Sequence, residues 1–120
     1  MTRRNQENHV SKGIRKSDEQ LREVLSIILM QEINDPRIEF VVITSVDLNS
    51  DRSVADVFVS TDPDRYDAAL AGLESAHGRI RSLAAHALGW REMPELRFKI
   101  DPAIDAGARI DAVIEQEQTR

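Results

Sequence analysis

The chain has 120 residues, 41% apolar and 31% charged, with no cysteine and a net charge of −5. That size suits one domain with a core of its own, and the composition is ordinary for a water-soluble globular protein. It excludes disulfides, thiolate metal sites and cysteine nucleophiles, and no apolar run reaches the ~18 residues of a membrane span. Residues 1–12 show no periodicity and read as a flexible basic arm without the apolar stretch of a secretory leader. The absence of cysteine and leader predicts a reducing, cytoplasmic setting.

Ser17-Asp18-Glu19-Gln20 has capping-box spacing. Leu21, Val24, Leu25, Ile28 and Leu29 then follow at amphipathic-helix intervals. The first helix is expected to start at Ser17 or one turn earlier and to end near Ile33, because Pro36 lacks an amide and disfavours a helical Asp35. Residues 40–48, from Phe40 to Leu48, are β-branched and predict a strand. A turn at Asn49–Arg52 leads to Val54–Ser60, where Ala55, Val57 and Val59 alternate onto one side and Phe58 faces the other. Two strands so close predict an antiparallel hairpin.

Asp62-Pro63 reads as the N-cap and first position of another helix, with Asp64 and Asp67 complementing its dipole. One apolar phase runs from Tyr66 through Leu73 and Ile80 to Leu88, interrupted by Gly78 and ended by Gly89. A mid-helix glycine costs ~1 kcal/mol against alanine, so Gly78 marks a kink or a close backbone approach. Glu95–Ile100 alternates again, with Leu96, Phe98 and Ile100 inward and Arg97 and Lys99 outward. Ile104, Ile110, Val113 and Ile114 suggest a last short helix within a C-terminal tail, 103–120, leaving 13–102 as the domain. The order predicts an α+β fold with a three-stranded mixed sheet and helices packed on one face.

Catalytic chemistry has no visible carrier. His9, His77 and His86 have no metal-binding spacing, and no P-loop, GxGxxG or GxSxG occurs. The acids of Asp62–Asp67 could be read as a Mg²⁺ site of a small metal-dependent enzyme, but their place at a helix start explains them better. No cofactor is implied. The charge distribution is more informative than its sum. Residues 1–22 carry six basic groups against three acids, and residues 77–100 carry five against two, so each stretch balances at +3 inside an acidic chain. Arg79 and Arg81 follow Gly78, where a break would present free amides and basic side chains to phosphates. Both are expected on the surface, where charge reversal would weaken binding without unfolding the protein. Arg91, Arg97 and Lys99 extend this set. Trp90 reads as a buried anchor before Pro94 rather than a stacking platform, and five aromatic residues are too few for stacking across a whole sheet.

Several segments occur in an order that resembles the ribosome-binding factor A family, bacterial factors that mature the small ribosomal subunit. They are residues 31–37 (QEINDPR), Val46 with the turn before residues 55–60 (ADVFVS), residues 75–81 (SAHGRIR) and residues 91–101 (REMPELRFKID), within 14–114. The resemblance implies a type II KH-like domain in which an Ala-x-Gly kink, here Ala76-His77-Gly78, replaces the usual GxxG loop. No GxxG occurs in this sequence. It further implies a non-enzymatic RNA-binding protein that engages the free small subunit and its precursor rRNA near the decoding region; nothing in the sequence suggests an obligate dimer, so a monomer is expected. Late maturation, rRNA processing and cold adaptation are the processes implied. The RNA-binding residues expected on this basis are Arg15, Lys16, Arg37, Ala76, His77, Gly78, Arg79, Arg81, Arg91, Arg97 and Lys99. The alternative reading is a protein-interaction module that docks a partner on its exposed sheet face.

Overall fold

A computed structural model describes residues 12–103, with the side chains of residues 12–15 excepted. Helix α1 (Lys12–Gln31) leads through a 3-10 turn (Pro36–Ile38) into strands β1 (Val42–Leu48) and β2 (Val54–Ser60). A second 3-10 turn (Pro63–Arg65) opens α2 (Tyr66–Ser75); α3 (His77–Leu88) and β3 (Glu95–Ile100) complete the order. β1 and β2 are antiparallel, β2 and β3 are parallel, and β2 is central. This is the expected α+β fold with a mixed three-stranded sheet. Residues 1–11 of the expected arm, most of the tail and its last helix lie outside the described residues, and Lys12, expected to close the arm, instead begins α1.

The stripes read from the sequence face the core. Leu21 and Leu25 of α1, Leu73 of α2 and Ile80 of α3 are fully buried against Ala55, Val57 and Val59 of the central strand. Each such Leu or Ile contributes ~1.5–3 kcal/mol by leaving water. β1 solves a problem that simple alternation would not. Ile43, Val46 and Leu48 are all buried, yet 43 and 46 differ by an odd number and belong to opposite faces of a regular strand. A β-bulge between Ile43 and Ser45 takes up the extra residue, Thr44. Its hydroxyl donates to Asp101 Oδ2 at 2.6 Å, with the Phe58 carbonyl at 3.2 Å as a weaker second acceptor.

Four local expectations are corrected. α1 begins at Lys12, so Ser17 lies inside it, and it ends at Gln31 rather than Ile33. Asp18, inside the supposed capping box, instead accepts the Leu48 backbone N–H at 3.0 Å across the core edge. β1 starts at Val42, because the 3-10 turn at Pro36 and the turn after it take up Phe40 and Val41. Asp62-Pro63 opens a 3-10 turn and not α2 itself, and the Asp62 side chain makes no capping bond.

The break between α2 and α3 falls at Ala76, with φ −93° and ψ 2°. Gly78 lies within α3, and a Cβ added there would meet nothing within 4 Å. It is neither the kink nor a close approach. The close approach is at Gly72, where a Cβ would lie 2.9 Å from Ile38 Cγ2 and 3.0 Å from Arg37 Cβ. α2 therefore packs hard against the first 3-10 turn. Gly89 does end α3 as expected, in the left-handed conformation with φ 64°.

Candidate nucleic-acid interface

The expected basic set divides along α3. At its start, Ala76 supplies the break and His77 is spent on structure. The His77 Nε2–H donates to the Leu96 carbonyl at 3.1 Å, and its ring meets Phe98 edge-on at 6.1 Å between centroids. That acceptor requires the proton on Nε2. This bond holds the first turn of α3 against β3. Arg79, two residues on, therefore lies close to β3 on the helix side, while Arg97, one residue past Leu96, projects from the opposite face of that edge strand. Both are exposed, and neither has an ion-pair partner among the described residues. Gly78 is exposed beside Arg79, in the turn whose leading amides lack intrahelical acceptors.

Lys99 projects from the outer sheet face but is 3.1 Å from Asp56 Oδ1 of β2. Its charge is partly compensated on a face that no helix covers among the described residues. Arg81 differs more from expectation. Its Nε donates to the Pro94 carbonyl at 3.1 Å and its Nη2 to the Met93 carbonyl at 2.8 Å. Arg81 is a strap between α3 and the loop before β3, so reversing its charge would disturb structure as well as any contact with phosphate. Periodicity could place it on the surface but could not reveal those carbonyls.

Arg91 and Lys16 lie near the other end of α3, which 12 residues at ~1.5 Å each separate from the break by about 18 Å. Both are exposed. Arg37 sits apart from either group, gripped by Asp35: its Nη2 is 2.7 Å from Oδ2 and its backbone N–H donates to Oδ1 at 2.9 Å. Those bonds lower the Asp35 carboxyl below its ordinary value, the side-chain bonds from Arg37 contributing most. Arg15 has no described side chain.

Two arginines were passed over in the sequence. Arg65 donates through Nη2 to the Pro36 carbonyl at 3.0 Å and lies over the Phe40 ring at 5.3 Å, tying the two 3-10 turns together. Arg52 lies over the Trp90 ring at 4.7 Å and has a positive φ of 61°. A hairpin turn with no glycine was the only sequence signal for it. Trp90 is half-buried against the core, which makes it an anchor with one accessible side. Among the described residues, no group of three His, Asp or Glu side chains converges to hold a metal, the Asp62–Asp67 acids included. No helix among them is long and apolar enough to cross a membrane.

An α-β-β-α-break-α-β chain with a mixed three-stranded sheet is an α+β domain of the expected kind. A family model for ribosome-binding factor A matches residues 14–114. The ribosome-binding factor A of Natranaerobius thermophilus is 40% identical over 108 residues, 87% of this chain and 82% of that one. That of Pelobacter propionicus is 38% identical over 112 residues, 92% of each. The crystal structure of ribosome-binding factor A from Thermus thermophilus superposes with a TM-score of 0.66 at 28% identity, covering 71% of this chain and 91% of that one. A homology model of the Thermus thermophilus protein, fitted into a cryo-EM map of a complex with the 30S subunit, gives 0.58 at the same identity and coverage. The chain belongs to the ribosome-binding factor A family.

Proposed function

We propose that this protein binds the small ribosomal subunit through its rRNA and assists late maturation and rRNA processing in the cytoplasm, without catalysing a reaction itself. The observation that carries the reading is family membership together with a Thermus thermophilus relative seated on the 30S subunit. The charge geometry supports it. Arg79 and Arg97 lie on opposite sides of the edge strand β3 without carboxylate partners among the described residues, which suits contact with a phosphate backbone. Free subunits holding precursor rRNA are the partner this reading predicts, with the protein acting as a monomer and mattering most in the cold. Lys99, Lys16 and Arg91 add charge at a distance.

Co-sedimentation of the full chain with cell extract tests this. The protein should travel with free small subunits and leave them when Arg79→Glu and Arg97→Glu are combined. Binding should also weaken with salt, by a logarithmic slope of roughly −0.7 to −0.9 for each phosphate neutralised. Migration at the top of the gradient at low salt would defeat the proposal. One observation favours the second reading, a protein-docking module: among the described residues no helix covers the sheet face away from the core, and Val42 at its edge is 61% exposed. Association that survives nuclease digestion of the partner fraction would select that reading.

A further inference from the structure

The far end of α3 holds an open cleft of about 800 Å³, lined by Ser17, Gln20, Arg52, Trp90 and Arg91 among others. Three features make it more than a surface dip. Arg52 is the only non-glycine residue with positive φ among those described, a conformation that L side chains rarely adopt. The turn around it is tied by its neighbours. Arg52 N–H donates to the Asn49 carbonyl at 3.0 Å, Val54 N–H to Asn49 Oδ1 at 3.0 Å and Ser53 Oγ to Asp51 Oδ1 at 2.6 Å. Glycine would satisfy this backbone with less strain, so an arginine here points to use of its side chain.

That side chain lies over Trp90, and Trp90 is itself fixed. Gly89 turns the chain ahead of it, Pro94 is buried behind it, and the Arg81 strap holds the Met93 and Pro94 carbonyls. Arg52 is exposed, so one face of its guanidinium is backed by the indole while the other opens to solvent. The adjacent Asp51 carboxylate does not cancel its charge by direct pairing, being engaged by Ser53. Exposed Arg91 adds a second basic group to the lining, against the carboxylates of Asp51 and Glu92.

We propose that this cleft is a stacking site for one unpaired base of single-stranded RNA, which lies on the Arg52 guanidinium above Trp90 while Arg91 takes the adjoining phosphate. Guanidinium planes and aromatic rings are common platforms for splayed bases. Gln20, on the facing helix, supplies a donor and an acceptor for the base edge. The proposal rests on the RNA-binding reading above but needs neither the α2–α3 break nor Arg79.

Trp90 is the sole tryptophan of the chain, so its fluorescence reports the cleft directly. The full chain is titrated with dodeca-adenylate and with an abasic ribose-phosphate strand of equal length, binding being followed by anisotropy of end-labelled strands. Dodeca-adenylate should quench Trp90, and the abasic strand should bind without doing so. Arg52→Lys keeps the charge and removes the plane; it should weaken dodeca-adenylate roughly tenfold, the loss of one stacked base, and leave the abasic strand nearly unchanged. Arg79→Glu should lower affinity while retaining the quench at saturation. Binding of dodeca-adenylate with constant Trp90 fluorescence, or equal affinity in Arg52→Lys, would overturn the stacking site and leave the rRNA reading intact. Failure of both strands to bind at all would also overturn the stacking site, while co-sedimentation with free small subunits decides the rRNA reading separately.

Discussion

At its start α3 leaves α2 through Ala76, whose backbone angles are open to any residue, while the neighbouring Gly78 lies in helix with free space around it. At its end the same helix stops on Gly89, whose φ of 64° strongly favours glycine. A third glycine, Gly72, takes helical angles but faces the first 3-10 turn at a distance that excludes a methyl group. Glycine thus has three physical meanings along 18 residues of one helical pair. It is a packing gap at Gly72, a substitutable helix residue at Gly78 and a left-handed cap at Gly89. Proximity of a glycine to a break does not make it the cause of the break.

Alanine substitutions would separate these roles. Gly72→Ala should cost the most, ~1–3 kcal/mol, because buried Ile38 and the Arg37 stem must both move. Thermal unfolding would read this at about 4–8 °C per kcal/mol for a domain of this size. An unchanged midpoint would show that the turn yields freely. Gly89→Ala should lose roughly 1–2 kcal/mol from the left-handed penalty alone. Gly78→Ala should go the other way and gain about 1 kcal/mol, as for an exposed helix position. Subunit binding by that variant sharpens the comparison: a more stable protein that binds less well would mean that Gly78 admits a phosphate close to the backbone.

The smallest effect concerns pH, and it lies at the Trp90 end of α3, where the start of α1 meets the hairpin. Burial raises the Asp18 carboxyl above its ordinary value, partly opposed by the bond from Leu48 N–H, with Asp47 and Glu19 pushing it further up and Arg52 pulling it down. A carboxyl raised on folding keeps its proton longer in the folded state than in the unfolded chain. Its stabilising contribution is therefore present in acid and is lost as pH rises from about 4 through the folded value. Asp18→Asn retains an acceptor for Leu48 N–H and removes the buried charge. Denaturant unfolding should show the variant gaining on the parent as pH rises through that window and equalling or exceeding it at neutrality. A parent that gains stability on the variant over the same range would reverse the assignment.

The basic residues teach a related lesson. Sequence spacing placed Arg79, Arg81, Arg91, Arg97 and Lys99 on the surface and grouped them by charge. Their partners separate them again: Arg79 and Arg97 lie on opposite sides of β3, Arg81 is tied to two carbonyls, Lys99 meets Asp56, and Arg91 faces the Trp90 cleft. Arg52 was invisible because its importance depends on a ring 38 residues away in the chain.

Local sequence alone determined the helical stripes of α1, α2 and α3, the alternation of β2 and β3, the hairpin and the Gly89 cap. These depend on intervals of two to four residues and on the conformations a single backbone can reach, so they are legible without a partner. Tertiary structure decided the bulge at Thr44, the methyl-free contact at Gly72, the employment of His77 and Arg81, and the meeting of Arg52 with Trp90. Each of these is a contact between residues distant in the chain, and only the packed sheet and helices bring such groups within bonding distance.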